Sequence, residues 1–356
     1  MDSFFSSFYL YKEHKKLTLT HPKHSYIQYR DFRVDLISGK KENFGIDFFF
    51  KDLQQIKIDD KLHSPIVIHL FYEMGYYCNN QLELIPESSP LGIYIEYENA
   101  LKEDIFKYEQ NDDFQIESLS VVDKKKYSRN FYKIQELLKA GECYQINYTL
   151  PFYLRSNQSI NPKKYIDLIM GDAIKVGAYS HATYIDSLGK LFLSNSPECL
   201  FQIKKRNNTS YIQTMPIKGT KKVECDLQRE QGWHELINSA KDQAELFMIT
   251  DLMRNDLTKL TKNKSTVLNK KLPLNVPGLI HQFSLIESEI KGQTDLKSII
   301  QCLFPGGSIT GAPKKRAMQI ISELEDNPRG FYCGSTVLCY EDICLASLNI
   351  WSAEVD

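Results

Sequence analysis

No stretch of this chain approaches the roughly 18 consecutive apolar residues that a membrane-crossing helix needs. Its first residues, MDSFFSSFYLYKEHKK, lack the positive start and following apolar run of an export signal. A soluble, cytoplasmic protein with no membrane partner is therefore expected. There is no CxxC pair and no Cys/His spacing that suits zinc, so Cys78, Cys143, Cys199, Cys225, Cys302, Cys333, Cys339 and Cys344 are read as reduced, buried thiols. An excess of one charge is missing too: 44 Lys plus Arg stand against 45 Asp plus Glu, with no long basic run. That excludes the electrostatic footprint of nucleic-acid binding and leaves a small molecule as the expected partner. Neither a P-loop nor a GxGxxG pattern is present, which disfavours a nucleotide. Internal repeats and low-complexity tracts are absent as well.

What is present is a mixture of strand and helix patterns. Short apolar runs at Ser25–Tyr29, Ile66–Phe71 and Gly92–Tyr97 alternate with polar loops, so residues 1–120 are expected to be strand-rich. The acidic-then-basic stretch from Asp112 to Lys126 predicts an exposed connection. From Tyr127 the period becomes helical, with Phe131, Ile134, Leu137 and Leu138 on one face and Gly141 placed to end the helix at positive φ. A strand over Tyr144–Phe152, a hairpin of Ala182–Ile185 with Lys190–Leu193, one long helix from Asp226 to Lys262, and a helix opening at Pro313 are expected next. Strands and helices without a βαβ rhythm predict an α+β fold with antiparallel sheets.

Four segments could carry chemistry. In Thr214–Thr220 the ammonium of Lys218 stands beside Gly219, where backbone and side chain could both approach an anion; spacing alone leaves a surface turn equally open. Glu198, after Ser196-Pro197, is either a solvated turn residue or, if it lies near Lys218, a proton acceptor for that amine. In Lys241–Asp256, Asp242, Glu245 and Ile249 share one helical face and Leu246, Met253 and Leu257 another. Two carboxylates three residues apart suit Mg²⁺, or else form a charged solvent face. Gly306-Gly307-Ser308-Ile309-Thr310 is a glycine-rich loop opening a helix, where free N–H groups and two hydroxyls could hold a carboxylate. His281, in an apolar strand pattern, reads by itself as a core histidine.

Taken together, these segments resemble the chorismate-binding family, which includes anthranilate, aminodeoxychorismate, isochorismate and salicylate synthases. The resemblance rests on the order and wording of Cys143-Tyr144-Gln145-Ile146-Asn147, Ser196-Pro197-Glu198, Pro216-Ile217-Lys218-Gly219-Thr220, Glu245–Leu257, Ile280-His281 and Pro305–Glu325. Tyr72-Glu73-Met74-Gly75-Tyr76 is a weaker match nearer the N-terminus. It implies one large domain in which two mainly antiparallel sheets pack face to face with helices outside, residues 1–120 forming the N-terminal strand-rich part and 121–356 the chorismate-binding region.

Within the family, Lys218 resembles the aminodeoxychorismate enzymes, whereas anthranilate synthases usually carry alanine there. Gln145 stands where the isochorismate and salicylate enzymes have a lysine that activates water, so the resemblance implies ammonia as the nucleophile. The implied reaction is chorismate plus ammonia to 4-amino-4-deoxychorismate, with anthranilate formation the alternative. Lys218 is the implied covalent nucleophile, Glu198 its base and His281 the residue at the leaving oxygen. Glu245 and Asp242 are implied ligands of Mg²⁺, while Gln145, Gly219, Thr220, Gly306, Gly307, Ser308 and Thr310 would line the substrate. Ammonia is implied to come from a separate glutaminase subunit.

The resemblance fades after Gly334. Thr336-Val337-Leu338 replaces an Ile-Gly-Tyr pattern, Trp351 stands where the family has a carboxylate-pairing arginine, and Asp356 precedes the family's last glycine-rich loop and metal-binding glutamates. The expectation from these departures is a chain truncated at its C-terminus, damaged by drift, or kept as a partner-binding subunit without turnover; truncation implies exposed core and low stability, and the missing groups imply weak or absent turnover.

Overall fold

The computed structural model describes residues 4–105, 116–157, 161–171, 176–261, 264–276, 278–291 and 293–356. Among them, sixteen strands join in one antiparallel sheet. From one edge its main path runs Ile217–Lys222, Leu279–Ile290, Thr209–Met215, Cys199–Arg206, Ile343–Leu348, Ser335–Glu341, Leu62–Leu70, Gly92–Asp104, Lys15–Gln28, Phe4–Leu10, His181–Ile185, Lys190–Ser194 and Ser352–Val355. Strands from both ends of the sequence therefore alternate in one structure, and its middle consists of segments far apart in the chain.

The sheet curls back on itself. His69 Nε2 lies 3.0 Å from Thr183 Oγ1, although three strands separate theirs along the sheet. The central strands are consequently buried on both sides, with residues of opposite parity serving different cores. Ile66, Ile68, Leu70 and Tyr94 pack with the helices Ile46–Gln55, Ala240–Thr261, Leu296–Leu303 and Lys314–Leu324. Val67, Ile93, Ile95 and Tyr97 pack inward against Phe8, Ile185 and Phe192 of the facing layer. The α+β class and the face-to-face packing hold, with the two facing layers forming halves of a single hydrogen-bonded sheet.

Local chemistry explains where elements begin and end. Asp123 caps the helix Lys124–Lys139 by accepting from the N–H groups of Lys125 and Lys126. At its other end Glu142 N–H donates to Leu137 O and Gly141 N–H to Leu138 O, with Gly141 at φ +75°. The hairpin forms as His181–Ile185 and Lys190–Ser194.

Two expectations are corrected. The helix from Asp226 to Lys262 is two helices, Asp226–Asn238 and Ala240–Thr261, because Ser239 is extended and its hydroxyl accepts from Asp242 N–H, capping a new start. In place of a strand over Tyr144–Phe152 only Gln145–Ile146 pairs, with Gly311–Ala312, and the following backbone turns to a side chain, Thr149 N–H donating to Glu325. The expected connection of residues 112–126 lies partly outside the described residues; within it Ile116–Ser118 pairs with Leu154–Ser156. No helix among the described residues is long and apolar enough to cross a membrane.

Candidate active site

Lys218 owes its direction to a fault in the sheet. Ile217 faces Phe283 and Thr220 faces His281, so one strand advances three residues while its neighbour advances two. The extra residue makes a bulge of Lys218-Gly219, a device that re-aims a side chain. Gly219 sits at φ +86°, and a Cβ there would come 2.8 Å from Gln282 Nε2, so glycine suits both the backbone and the space. Lys218 Nζ then donates to Ser308 O at 3.2 Å.

Glu198 meets this lysine from the start of the neighbouring strand Cys199–Arg206. Its N–H donates to Ser196 Oγ and its carbonyl accepts from Leu348 N–H, fixing the backbone on both sides. The Ser308 hydroxyl and the Ile217 N–H favour the charged form of this carboxylate. Burial pushes its carboxyl up to about 7, against the lowering pull of those donors and of Lys218. Burial also pulls the Lys218 ammonium below its usual value, opposed by Glu198 and Glu245. An acid raised and an amine lowered side by side make proton transfer between them easier near neutral pH.

Glu245, on the helix Ala240–Thr261, pairs with Lys241 at 3.9 Å and acts on Lys218 through its charge. Leu246, Ile249, Met253 and Leu257 are buried there, each contributing about 1.5–3 kcal/mol, and they hold the helix against the sheet. Ile249 thus belongs to the buried face and not with Asp242 and Glu245 as expected. Asp242 packs beside Gly219, its Cβ 3.3 Å from where a glycine Cβ would stand. The two carboxylates therefore border Lys218-Gly219 from one helical face. That donor set fits Mg²⁺, which takes one or two protein carboxylates and completes its shell with water and ligand oxygens. No group of three His, Cys, Asp or Glu that could hold a metal occurs among the described residues.

His281 is buried, with Nδ1 2.8 Å from Thr220 Oγ1. Burial lowers its pKa, opposed by a hydrogen bond to the Gly219 backbone, so the ring is neutral near pH 7. Among the described residues its Nε2 has no hydrogen-bond partner, and neither has Gln145 Oε1. The Trp351 ring stands 5.9 Å from the His281 ring, half-exposed, on a backbone at φ +52° that an aromatic residue seldom adopts.

The glycine-rich loop uses one of its two hydroxyls locally. Its helix is a single turn, Gly307–Thr310, and Thr310 Oγ1 donates to Gly306 O within that turn. Ser308 is the member that touches the centre, its carbonyl accepting from Lys218 and its hydroxyl favouring the charged form of Glu198. Asn147, which spacing did not single out, supports this turn: Nδ2 donates to Ser308 O at 3.0 Å and its N–H to Thr310 O. Gly311 closes the turn at φ +142°, where a Cβ would lie 2.1 Å from Gln145 O. Gly311→Ala is accordingly expected to separate Gln145 from the loop and to destabilise the protein by at least about 2 kcal/mol in urea unfolding.

The structure thus brings Glu198, Lys218, Glu245 and Ser308 together, with Thr220 on the strand of Lys218 and His281 on the strand beside it. Residues 53–355 match the family described as chorismate binding enzyme. Aminodeoxychorismate synthase component 1 of Escherichia coli (strain K12) is 34% identical over 233 residues, covering 64% of this chain and 49% of that protein. The component 1 protein of the same name from Bacillus subtilis (strain 168) is 32% identical over 211 residues, 59% of this chain and 43% of that one. The chain spans about half the length of these curated relatives. In fold it is similar to anthranilate synthase component I from Streptococcus pneumoniae TIGR4, with a TM-score of 0.75 at 16% identity, covering 96% of this chain and 84% of that one.

Proposed function

The chain belongs to the chorismate-binding enzyme family, and from that premise we propose that it aminates chorismate to 4-amino-4-deoxychorismate through a covalent bond to Lys218. The observation that carries this reading is the partly buried Lys218 amine, held by the Ser308 carbonyl within the fields of Glu198 and Glu245. An alanine there could not attack carbon. The aminodeoxychorismate synthase names of the relatives support the same product.

In the proposed reaction Glu198 takes a proton from Lys218, whose amine attacks C2 of the ring. The ring double bonds shift and the 4-hydroxyl departs; the proton lost from nitrogen balances the one that leaves with that hydroxyl as water. Ammonia then attacks C4, the double bonds shift back, and Lys218 leaves as an amine that regains its proton from Glu198. One difficult substitution becomes two easier ones. Neutral His281, with Nε2 lacking a protein partner, orients the leaving oxygen. Gln145, Gly219, Thr220 and the Gly306–Thr310 loop border the substrate. Asp242 and Glu245 are the residues that would hold Mg²⁺, which when bound neutralises the ring carboxylate and the charge developing at the leaving group. Ammonia would reach the chain from a separate glutaminase component, in keeping with the component 1 names of its relatives, and concentrated ammonium at raised pH should replace it.

The products of chorismate, ammonium and Mg²⁺ test the proposal. Mass spectrometry should find the aminated ring with its enolpyruvyl group retained. Anthranilate, which requires loss of that group and is read as pyruvate, would contradict it.

A further inference from the structure

We infer that Arg329 is a positioning residue of this site: its guanidinium locks the Ser308 turn to the Asn147 segment and so fixes the Ser308 carbonyl that accepts the Lys218 ammonium. The inference rests on the reading that Glu198 and Lys218 do the chemistry. Arg329 lies in the turn after the helix Lys314–Leu324, and its side chain is buried over the Tyr72 ring, 4.6 Å from the centroid.

Each arm of the guanidinium has a purpose that can be traced. Nε and Nη2 donate to the two oxygens of Glu325 at 2.8 and 2.7 Å, a paired contact that neutralises the charge. Beyond it, Nη1 donates to Ile309 O at 3.0 Å and Nη2 to Asn147 O at 2.6 Å. These carbonyls belong to segments 162 residues apart in sequence (309 minus 147). Ile309 follows Ser308 directly, and Asn147 Nδ2 donates to the same Ser308 oxygen that accepts Lys218 Nζ. Glu325 ties in the next stretch by accepting from Thr149 N–H and Oγ1. Glu73 holds the other side, accepting from the N–H groups of Arg329 and Gly330.

Holding two loops together does not by itself demand an arginine, since burying a guanidinium carries a large desolvation penalty that apolar packing avoids. Two carbonyls and a carboxylate at fixed angles do demand a planar fork with five donors, which an ammonium cannot imitate. The geometry of the fork is therefore passed, one hydrogen bond at a time, to the oxygen that receives the Lys218 ammonium.

The test uses Arg329→Lys, which keeps the charge, and Arg329→Met with Glu325→Gln, which removes the buried pair so that no lone charge is left behind. Acetic anhydride labelling of Lys218, followed by peptide mass spectrometry across pH, reports the lysine with no substrate present. Lys218 is faced by Glu198, Glu245 and Ser308 O. Loosening Ser308 weakens an acceptor of the ammonium, so the pH of half-reactivity should fall by about half to one unit. Turnover should lose about 10- to 100-fold in kcat, with KM for chorismate changed less than about threefold. A purely structural Arg329 would lower thermal stability and leave the Lys218 profile in place. A folded variant with an unmoved profile overturns the inference. If Arg329→Lys does not fold, the double variant decides by the same profile, and because the labelling needs no turnover it stands apart from any failure of the proposed reaction.

Discussion

Lys218→Ala is expected to lower conversion of chorismate and ammonium by at least about 10³-fold, with little change in thermal stability. The loss should be that large because no neighbouring group can take over the attack on carbon: Glu198 is placed to receive a proton, and His281 lies across the strand at Thr220. Stability should survive because the lysine is itself disfavoured by its surroundings, burial having pulled its pKa down. Once the cation is gone the Glu198 carboxyl loses a lowering influence and takes up its proton, so the cavity holds no unpaired charge. A residue whose charge is disfavoured at rest and that turnover requires is what a partly buried nucleophile should look like. Steady-state rates and melting curves on the same preparations check both halves.

Glu198→Gln is expected to separate activity from stability in the opposite direction. A glutamine cannot accept the Lys218 proton, so kcat should fall by about 10²- to 10⁴-fold. The wild-type kcat/KM should rise with pH through about 7, where Glu198 ionises, and the variant should lack that limb. Folding should respond to pH as well. The carboxyl is raised from 4.5 to about 7, so the folded chain binds its proton more tightly than the unfolded chain does. Stability attributable to this group is greatest below pH 4.5, declines as pH rises toward 7, and stays low above it. The full cost is about 3 kcal/mol at about 1.4 kcal/mol per unit. Glu198→Gln should therefore stabilise the protein at pH 8 by up to that amount and give no gain near pH 4, a contrast that urea unfolding at the two values would show. Equal effects at both would mean that the carboxyl is not held near 7.

Much of this centre was legible in the sequence because its groups lie in short contiguous segments. Ser196-Pro197-Glu198 and Pro216–Thr220 each carry one proposed catalytic group, while the bulge at Lys218-Gly219 shows only in the register of the paired strands. The helix bearing Asp242 and Glu245 was also visible in its apolar spacing, but its start was not. Ser239 looked like one polar residue within a long periodic stretch, and only its hydroxyl on Asp242 N–H shows that it starts a new helix. Tyr144–Phe152 misled for the converse reason: its composition suits a strand, but the partners of its backbone are a glycine-rich turn and Glu325, contacts that no local pattern encodes. Thr310 carries a hydroxyl in a loop of the right kind, and that hydroxyl is spent on Gly306 in its own turn. Arg329 was invisible for a further reason, because it touches no reacting group and gains its meaning only from two carbonyls brought together by folding.

The most direct test of the central claim is to mix the wild-type chain with chorismate and Mg²⁺ in the absence of ammonium and to follow the protein by intact and peptide mass spectrometry. The account predicts an adduct with the mass of chorismate less one water, on the peptide containing Lys218, which disappears as 4-amino-4-deoxychorismate forms when ammonium is added. Amination that proceeds with Lys218 unmodified throughout, or an adduct that persists in Lys218→Ala, would contradict it.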